Sequence, residues 1–170
     1  MDTVPSYDAL LQRIRTFEGG LVGIEGFRQS GKSTLADKLG EDVPAHVVHT
    51  DDFSTPRHNS PPYVDGLNLN ALGDALRDTK QGDRLCPVEG ICLRTVLDRC
   101  GLSADVNLYV KRIGENGLWY DQFHLEDFER GEGLPGDSQK PHASDLSYHS
   151  RARPHDRADW EFIRVETNDV

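Results

Sequence analysis

Apolar positions along the chain alternate between a helical and an extended period. After Ser6, a residue type that caps helix starts, Ala9, Leu10, Ile14 and Phe17 recur at helical spacing, which predicts an amphipathic helix from Ser6 to Phe17. Gly19-Gly20 breaks it, and Leu21-Val-Gly-Ile-Glu25 follows as a short apolar run suited to a buried parallel strand. Ser33 to Leu39 returns to the helical period, with Leu35 and Leu39 on one face and Gly40 expected as the stop. Ala45-His-Val-Val-His-Thr50 is short and β-branched, a second strand. Leu69, Leu72 and Leu76 mark a helix within Leu67 to Lys80. Val88-Glu-Gly-Ile-Cys92 is a third strand, expected to begin at Pro87 because proline cannot donate to a ladder. A short helix from Leu93 to Cys100 closes at Gly101, and Ala104 to Val110 is the fourth strand.

The pattern weakens after Lys111. Gly117 to Arg130 can form a helix carrying Leu118, Trp119, Phe123, Leu125 and Phe128. Gly131 to Ser150 holds glycine, proline and polar residues with little periodicity and reads as a mobile or irregular loop. Arg151 to Arg157, basic and broken by proline, reads as solvated surface, and Ala158 to Val165 alternates as a terminal strand. Five strands interleaved with helices predict an α/β fold, a mostly parallel sheet with helices on both faces. Neither repeat nor linker divides the chain, so residues 1–170 are expected to form one domain.

Composition narrows the partners. A formal charge of −10 and a pI near 5.1 leave no basic field for a phosphodiester backbone, so nucleic acid is not an expected partner. No apolar run approaches the roughly 18 residues of a membrane span. The acidic start, Met1-Asp-Thr-Val-Pro-Ser6, is unlike a secretory leader. Cys86, Cys92 and Cys100 are odd in number and lack C-x-x-C spacing, which fits free buried thiols in a cytoplasmic protein. Self-association is left open.

Chemistry enters with Gly26-Phe-Arg-Gln-Ser-Gly-Lys-Ser33, which matches G-x-x-x-x-G-K-[ST] between a predicted strand and a predicted helix. Glycines at Gly26 and Gly31 let successive N–H groups turn inward around phosphate oxygens, and the following helix aims its positive end at them. Lys32 supplies a charge for the terminal phosphates, and the Ser33 hydroxyl is placed for Mg²⁺. Arg28, Gln29, Ser30 and Thr34 complete the expected ATP-binding segment. Asp51-Asp52-Phe53 ends the second strand, where open α/β sheets gather ligands. The proline-rich loop from Ser54 to Gly66 offers Arg57, His58, Tyr63 and Asp65, with Asp52, as candidate contacts to a small-molecule acceptor. His46 and His49 read as structural.

In this order, the phosphate loop, His49-Thr-Asp51-Asp52-Phe53, Val88-Glu89-Gly90-Ile91 and Arg153-Pro-x-x-x-Ala158-Asp159-Trp160 resemble the uridine kinase-like group of P-loop small-molecule kinases. The resemblance covers most of the chain. It implies a three-layer P-loop kinase fold, ATP and Mg²⁺ as cofactors, and phosphorylation of a small-molecule hydroxyl. It implies that Lys32 acts on phosphate, that Ser33, Glu89 and Asp51 lie at the metal, and that Asp51 faces the acceptor hydroxyl. The chain departs from the group in its lid. No arginine-rich pattern follows the fourth strand, and Lys111, Arg112 and Arg130 are the cations available in a lid region within 112–150. A GTPase-type switch is disfavoured, since Asp37-Lys-Leu-Gly40 falls inside the phosphate-loop helix and no N-K-x-D is present. A nucleotide-binding or slowly hydrolysing module without acceptor activity stays open.

Overall fold

A computed structural model describes residues 1–55, 62–81, 84–132 and 143–166. The chain runs β1 (Asp2–Val4), α1 (Tyr7–Ile14), β2 (Gly20–Glu25), α2 (Lys32–Asp42) and β3 (Val48–His49). Two single 3₁₀ turns, Thr50–Phe53 and Tyr63–Gly66, lead to α3 (Leu69–Gln81), β4 (Leu85–Glu89), α4 (Leu93–Arg99) and β5 (Val106–Gly114). The remainder is α5 (Gln122–Glu129), α6 (Ala143–Ala152), α7 (Pro154–Arg157) and β6 (Trp160–Glu166). Among the described residues six strands form one sheet in the order β1-β6-β5-β2-β4-β3, and every pairing is parallel.

Side chains on successive strand residues point to opposite faces, and both faces are covered. Leu21, Cys86 and Val88 face one side, against Leu72 and Leu76 of α3 and Leu93, Val96 and Leu97 of α4. Val22, Ile24, Leu108 and Val110 face the other, against Leu10 and Ile14 of α1 and Leu35 and Leu39 of α2. This is the expected three-layer α/β architecture, and it explains why β2 reads as an unbroken apolar run. A smaller cluster of Phe27, Leu125 and Leu146 joins α5 and α6 to the loop after β2.

The sheet has six strands where the sequence pattern predicts five. The added strand is β1, three residues of which only Val4 is buried, too short to show a period; it pairs with β6 through Val4 and Phe162. Gly40 does not stop α2, which continues to Asp42. A Cβ there would lie 2.5 Å from Val47 Cγ2, so Gly40 serves close packing. β4 begins two residues before Pro87. Leu85 O accepts from His46 N and Gly90 N donates to Ile24 O, so alternation turns the Pro87 nitrogen toward β3. There the pairing skips from the Ala45–Leu85 bridge to Val48, and no donor is required.

The largest departure lies near the C-terminus. Residues 143–152, read in part as irregular loop, form α6, with Asp145, Leu146, Tyr148 and His149 buried. The segment read as solvated surface contains α7, whose Pro154 and His155 are buried. The helix expected over 117–130 is confined to α5, because Gly114 and Gly117 turn the chain back to bridge Trp119 to Ile113. Residues 133–142 of the expected lid lie outside the described residues. Among the described residues no helix is long and apolar enough to cross a membrane. Cys86, Cys92 and Cys100 are free and buried, and burial pushes the Cys86 thiol up to about 11.

Candidate active site

From β2 the chain goes out to β3 at one edge, returns to insert β4, then crosses to β5 on the other side of β2. Strand order therefore reverses at β2, and the loop after its carboxyl end sits at the switch point where such sheets bind ligands. Gly26 has φ 154° and Gly31 φ 96°, and Gln29 is also left-handed at φ 64°. A Cβ at Gly26 would lie 2.4 Å from Val110 O, so the loop closes against β5 only with glycine there. Ser30 and Lys32 are buried in the loop, and Lys32 Nζ donates to Phe27 O at 3.0 Å, folding the ammonium back along the loop. Thr34 lies in the first turn of α2, whose N-terminus the loop forms.

Ser33 opens the carboxylate side. Its Oγ donates to Glu89 Oε1 at 3.1 Å, joining α2 to the end of β4. His49 Nδ1 lies 2.8 Å from the same Glu89 oxygen, and its Nε2 lies 3.0 Å from Asp37 Oδ1. Partial burial pulls the His49 pKa down, but hydrogen bonding and charge from Glu89, then from Asp37, outweigh it and hold the pKa above its ordinary value. With a carboxylate on each nitrogen, the charged ring can donate both ways. Ser33 and Glu89 are hard oxygen donors that fit Mg²⁺. Among the described residues no three His, Cys, Asp or Glu side chains converge on a metal position.

Asp51 sits in the 3₁₀ turn after β3. Tyr63 OH donates to Asp51 Oδ1 at 2.6 Å and lies 2.9 Å from Thr50 Oγ1. Burial, then the hydrogen bond to Asp51, pushes the Tyr63 phenol well above its usual range, so it stays a donor. Asp52 is exposed beside it. Asp65 pairs on the surface with Arg99 at 3.3 Å. Arg57 and His58 lie outside the described residues. Tyr63 also lines a cavity of about 650 Å³ reaching α4 and α6. A second cavity, about 390 Å³ at the β5 turn around Trp119 and Tyr120, is not lined by Ser33, Asp51 or Glu89.

The lid cations predicted from sequence are engaged elsewhere. Lys111 bonds Glu161 at 3.1 Å, Arg112 pairs with Glu166 at 3.3 Å, and Arg130 is held by Asp127 and by Glu132 at 3.3 Å. Besides Arg28 within it, the phosphate loop is reached by Arg164 of β6, whose guanidinium donates to Gln29 O at 3.4 Å and lies 3.2 Å from where a Cβ on Gly31 would sit. It stands as one arginine in an alternating strand, and no local signal marks it. Asp145 of α6 is equally hidden in the sequence: fully buried, it accepts from Arg28 N at 3.0 Å. His149, one turn on, stacks on Phe27 at 3.6 Å between ring centroids. Tyr148 OH bonds Glu25, which also accepts from Arg94 Nε at 2.9 Å. Burial raises the Glu25 pKa against the opposing pull of these two partners.

A three-layer parallel sheet with a phosphate loop at its switch point defines a P-loop α/β fold, and comparison of whole folds finds solved structures that share it. The fold is that of the uridine kinase-like P-loop kinases. A possible uridine kinase from Bacillus stearothermophilus matches with a TM-score of 0.58 at 19% identity, over 92% of this chain and 96% of that one. A candidate fructose transport system kinase from Silicibacter sp. TM1040 matches with a TM-score of 0.51 at 17% identity, over 92% and 98%. No protein-family model and no curated protein sequence matches the chain.

Proposed function

We propose that this protein is a kinase that transfers the γ-phosphoryl group of Mg-ATP to a hydroxyl of a small molecule. The observation that carries this reading is Asp51, held by Tyr63 at 2.6 Å at the end of the strand beside β4, on the sheet edge that bears the phosphate loop. Two neighbours of the same fold support it, one named as a possible uridine kinase and the other as a candidate fructose transport system kinase.

In this reading Gly26 to Gly31 and the start of α2 cradle the phosphates with backbone N–H groups, and Lys32 and Arg164 add charge. Lys32 swings from Phe27 O to a phosphate oxygen. Ser33 and Glu89 would hold Mg²⁺, which when bound would supply neutralisation of the charge on the phosphoryl oxygens. Asp51 accepts the proton of the acceptor hydroxyl as that oxygen bonds to the γ-phosphorus. The bond from this phosphorus to the bridging oxygen breaks, and its electron pair leaves with ADP. Tyr63 keeps Asp51 aimed while that proton moves. A small-molecule acceptor and a cytoplasmic setting follow from the same reading.

ADP release across nucleosides, sugars, vitamins and antibiotics tests it, with Lys32→Ala as the control. Release that depends on one acceptor and falls in the variant is expected. Loss of a charge-assisted bond to phosphate should weaken ATP binding about 10- to 100-fold, measured by calorimetry. ATP hydrolysis at one rate whatever acceptor is present would instead favour the nucleotide-binding module.

A further inference from the structure

The cavity beside Tyr63 has a composition that selects among acceptors. Its volume of about 650 Å³ is that of a small-molecule site. Tyr63, Val64, Cys92 and Tyr148 give it apolar walls, and Thr95, Ser144 and Ser147 add hydroxyls. Both phenol hydroxyls are already spent, Tyr63 on Asp51 and Tyr148 on Glu25, so these residues offer ring surface to a ligand. Among the described residues that line it, Arg151 is the charged one, and no Asp, Glu, Asn or Gln joins them. In a chain of formal charge −10, a cavity with one arginine and no acid is set apart electrostatically.

We propose that this cavity takes the acceptor, and that the acceptor is an alcohol which also carries an anionic group, a carboxylate or a phosphate monoester, paired with Arg151. The proposal rests on the kinase reading and deepens it. Arg151 is on α6, one turn after Ser147. Its Nε donates to Ser147 O at 3.2 Å and a terminal nitrogen donates to Ser147 Oγ. Those bonds fix the guanidinium at the cavity wall and leave further N–H donors of its fork for an anion. A neutral polyol fits poorly: its several hydroxyls would meet ring faces, a thiol and three side-chain hydroxyls, and polar groups buried without partners are costly. A ligand with an apolar middle, an anion on Arg151 and a hydroxyl toward Tyr63 leaves fewer groups unpaired. That hydroxyl lies on the Asp51 side, where its oxygen bonds to the γ-phosphorus of ATP, its proton passes to Asp51 and ADP departs.

The test is an ADP-release panel of matched pairs: hydroxy-carboxylates with their amides, and phosphate monoesters bearing a free hydroxyl with their dephosphorylated alcohols. Wild type, Arg151→Gln and Arg151→Lys are compared, with ATP affinity measured separately by calorimetry. One anionic series should be turned over in preference to its neutral partners, and which series responds identifies the anion. Arg151→Gln should raise KM for that acceptor about 10- to 100-fold while kcat and ATP affinity stay within about twofold. Arg151→Lys should recover part of the loss. If neutral alcohols drive ADP release at least as well, or Arg151→Gln leaves KM unchanged, the proposal is overturned and the kinase reading stands. If no alcohol of either kind drives release while ATP still binds, both fall.

Discussion

His155 shows how a single buried ring sets a pH limit. It lies 5.2 Å from Trp119 and 6.0 Å from Tyr109, ring to ring, and burial, only partly offset by Asp156, lowers its pKa to about 4. A folded-state value below the ordinary one of about 6.5 means that the unfolded chain takes up a proton first. The stability due to a neutral His155 is thus present above pH 6.5 and is lost as pH falls toward 4. Asp121 works in the opposite sense. Burial raises its carboxyl to about 6, so its contribution is greatest at low pH and disappears as pH rises through 6. His155→Phe should remove the acid-side loss, about 1–2 kcal/mol after allowing for screening at a site not fully shut from water. Urea unfolding at pH 5 and pH 7.5 checks this: the variant should lose less stability on acidification than wild type. Equal losses would mean that another group sets the limit. Neither residue can be singled out in the sequence, because its shift comes from packing among β5, α5, α6 and α7. Lys32, Ser33 and Asp51 are legible there, since each belongs to a short motif whose spacing is local.

At the scale of elements, α6 is the one whose role the sequence conceals. Residues Gly131 to Ser150 carry weak periodicity because the buried face of α6 is built from Asp145, Tyr148 and His149 as well as Leu146. Those polar groups are buried because each meets the phosphate-loop region: Asp145 at Arg28 N, His149 on Phe27 and Tyr148 at Glu25. A hydropathy pattern scores them as surface, and only the fold supplies their partners. The α6 strap therefore holds the outer side of the phosphate loop in register. Asp145→Ala leaves the Arg28 N–H without its acceptor and should weaken ATP binding about tenfold, in line with one hydrogen bond to a charged group. Asp145→Asn, which keeps an acceptor oxygen, should retain most of the affinity. Calorimetry on variants shown to be folded by their near-ultraviolet dichroism measures both. An unchanged ATP affinity in folded Asp145→Ala would show that the loop keeps its shape without the strap.

For the whole molecule, the layered α/β plan was legible because alternation of buried runs with amphipathic helices is a global pattern that single errors do not erase. Strand β1 escaped it, and so did the contact of Arg164 with the phosphate loop, because an edge strand of three residues and a lone arginine on β6 gain meaning only from their neighbours. What the sheet adds is proximity. It places the ends of β2, β3 and β4 side by side, so Ser33, Asp51 and Glu89 share one edge although long stretches of sequence separate them. That arrangement makes a sharp prediction about two adjacent acids. Both are exposed, but Asp51 is tied to Tyr63, whereas Asp52 makes no side-chain hydrogen bond among the described residues. If Asp51 takes the acceptor proton, its loss removes general-base assistance, which contributes about 10²–10⁴-fold to a rate, roughly 3–5 kcal/mol of barrier. Asp51→Asn should therefore lower kcat within that range and leave ATP affinity close to wild type, since the phosphate loop is untouched. Asp52→Asn should change kcat by less than about threefold, within the cost of an ordinary surface substitution. Tyr63→Phe should fall between them, because it frees the carboxylate without removing it. Single-turnover rates with a confirmed acceptor, alongside calorimetric ATP binding, separate these outcomes. Full activity in Asp51→Asn, or greater damage in Asp52→Asn, would move the base from Asp51 to another group on this edge.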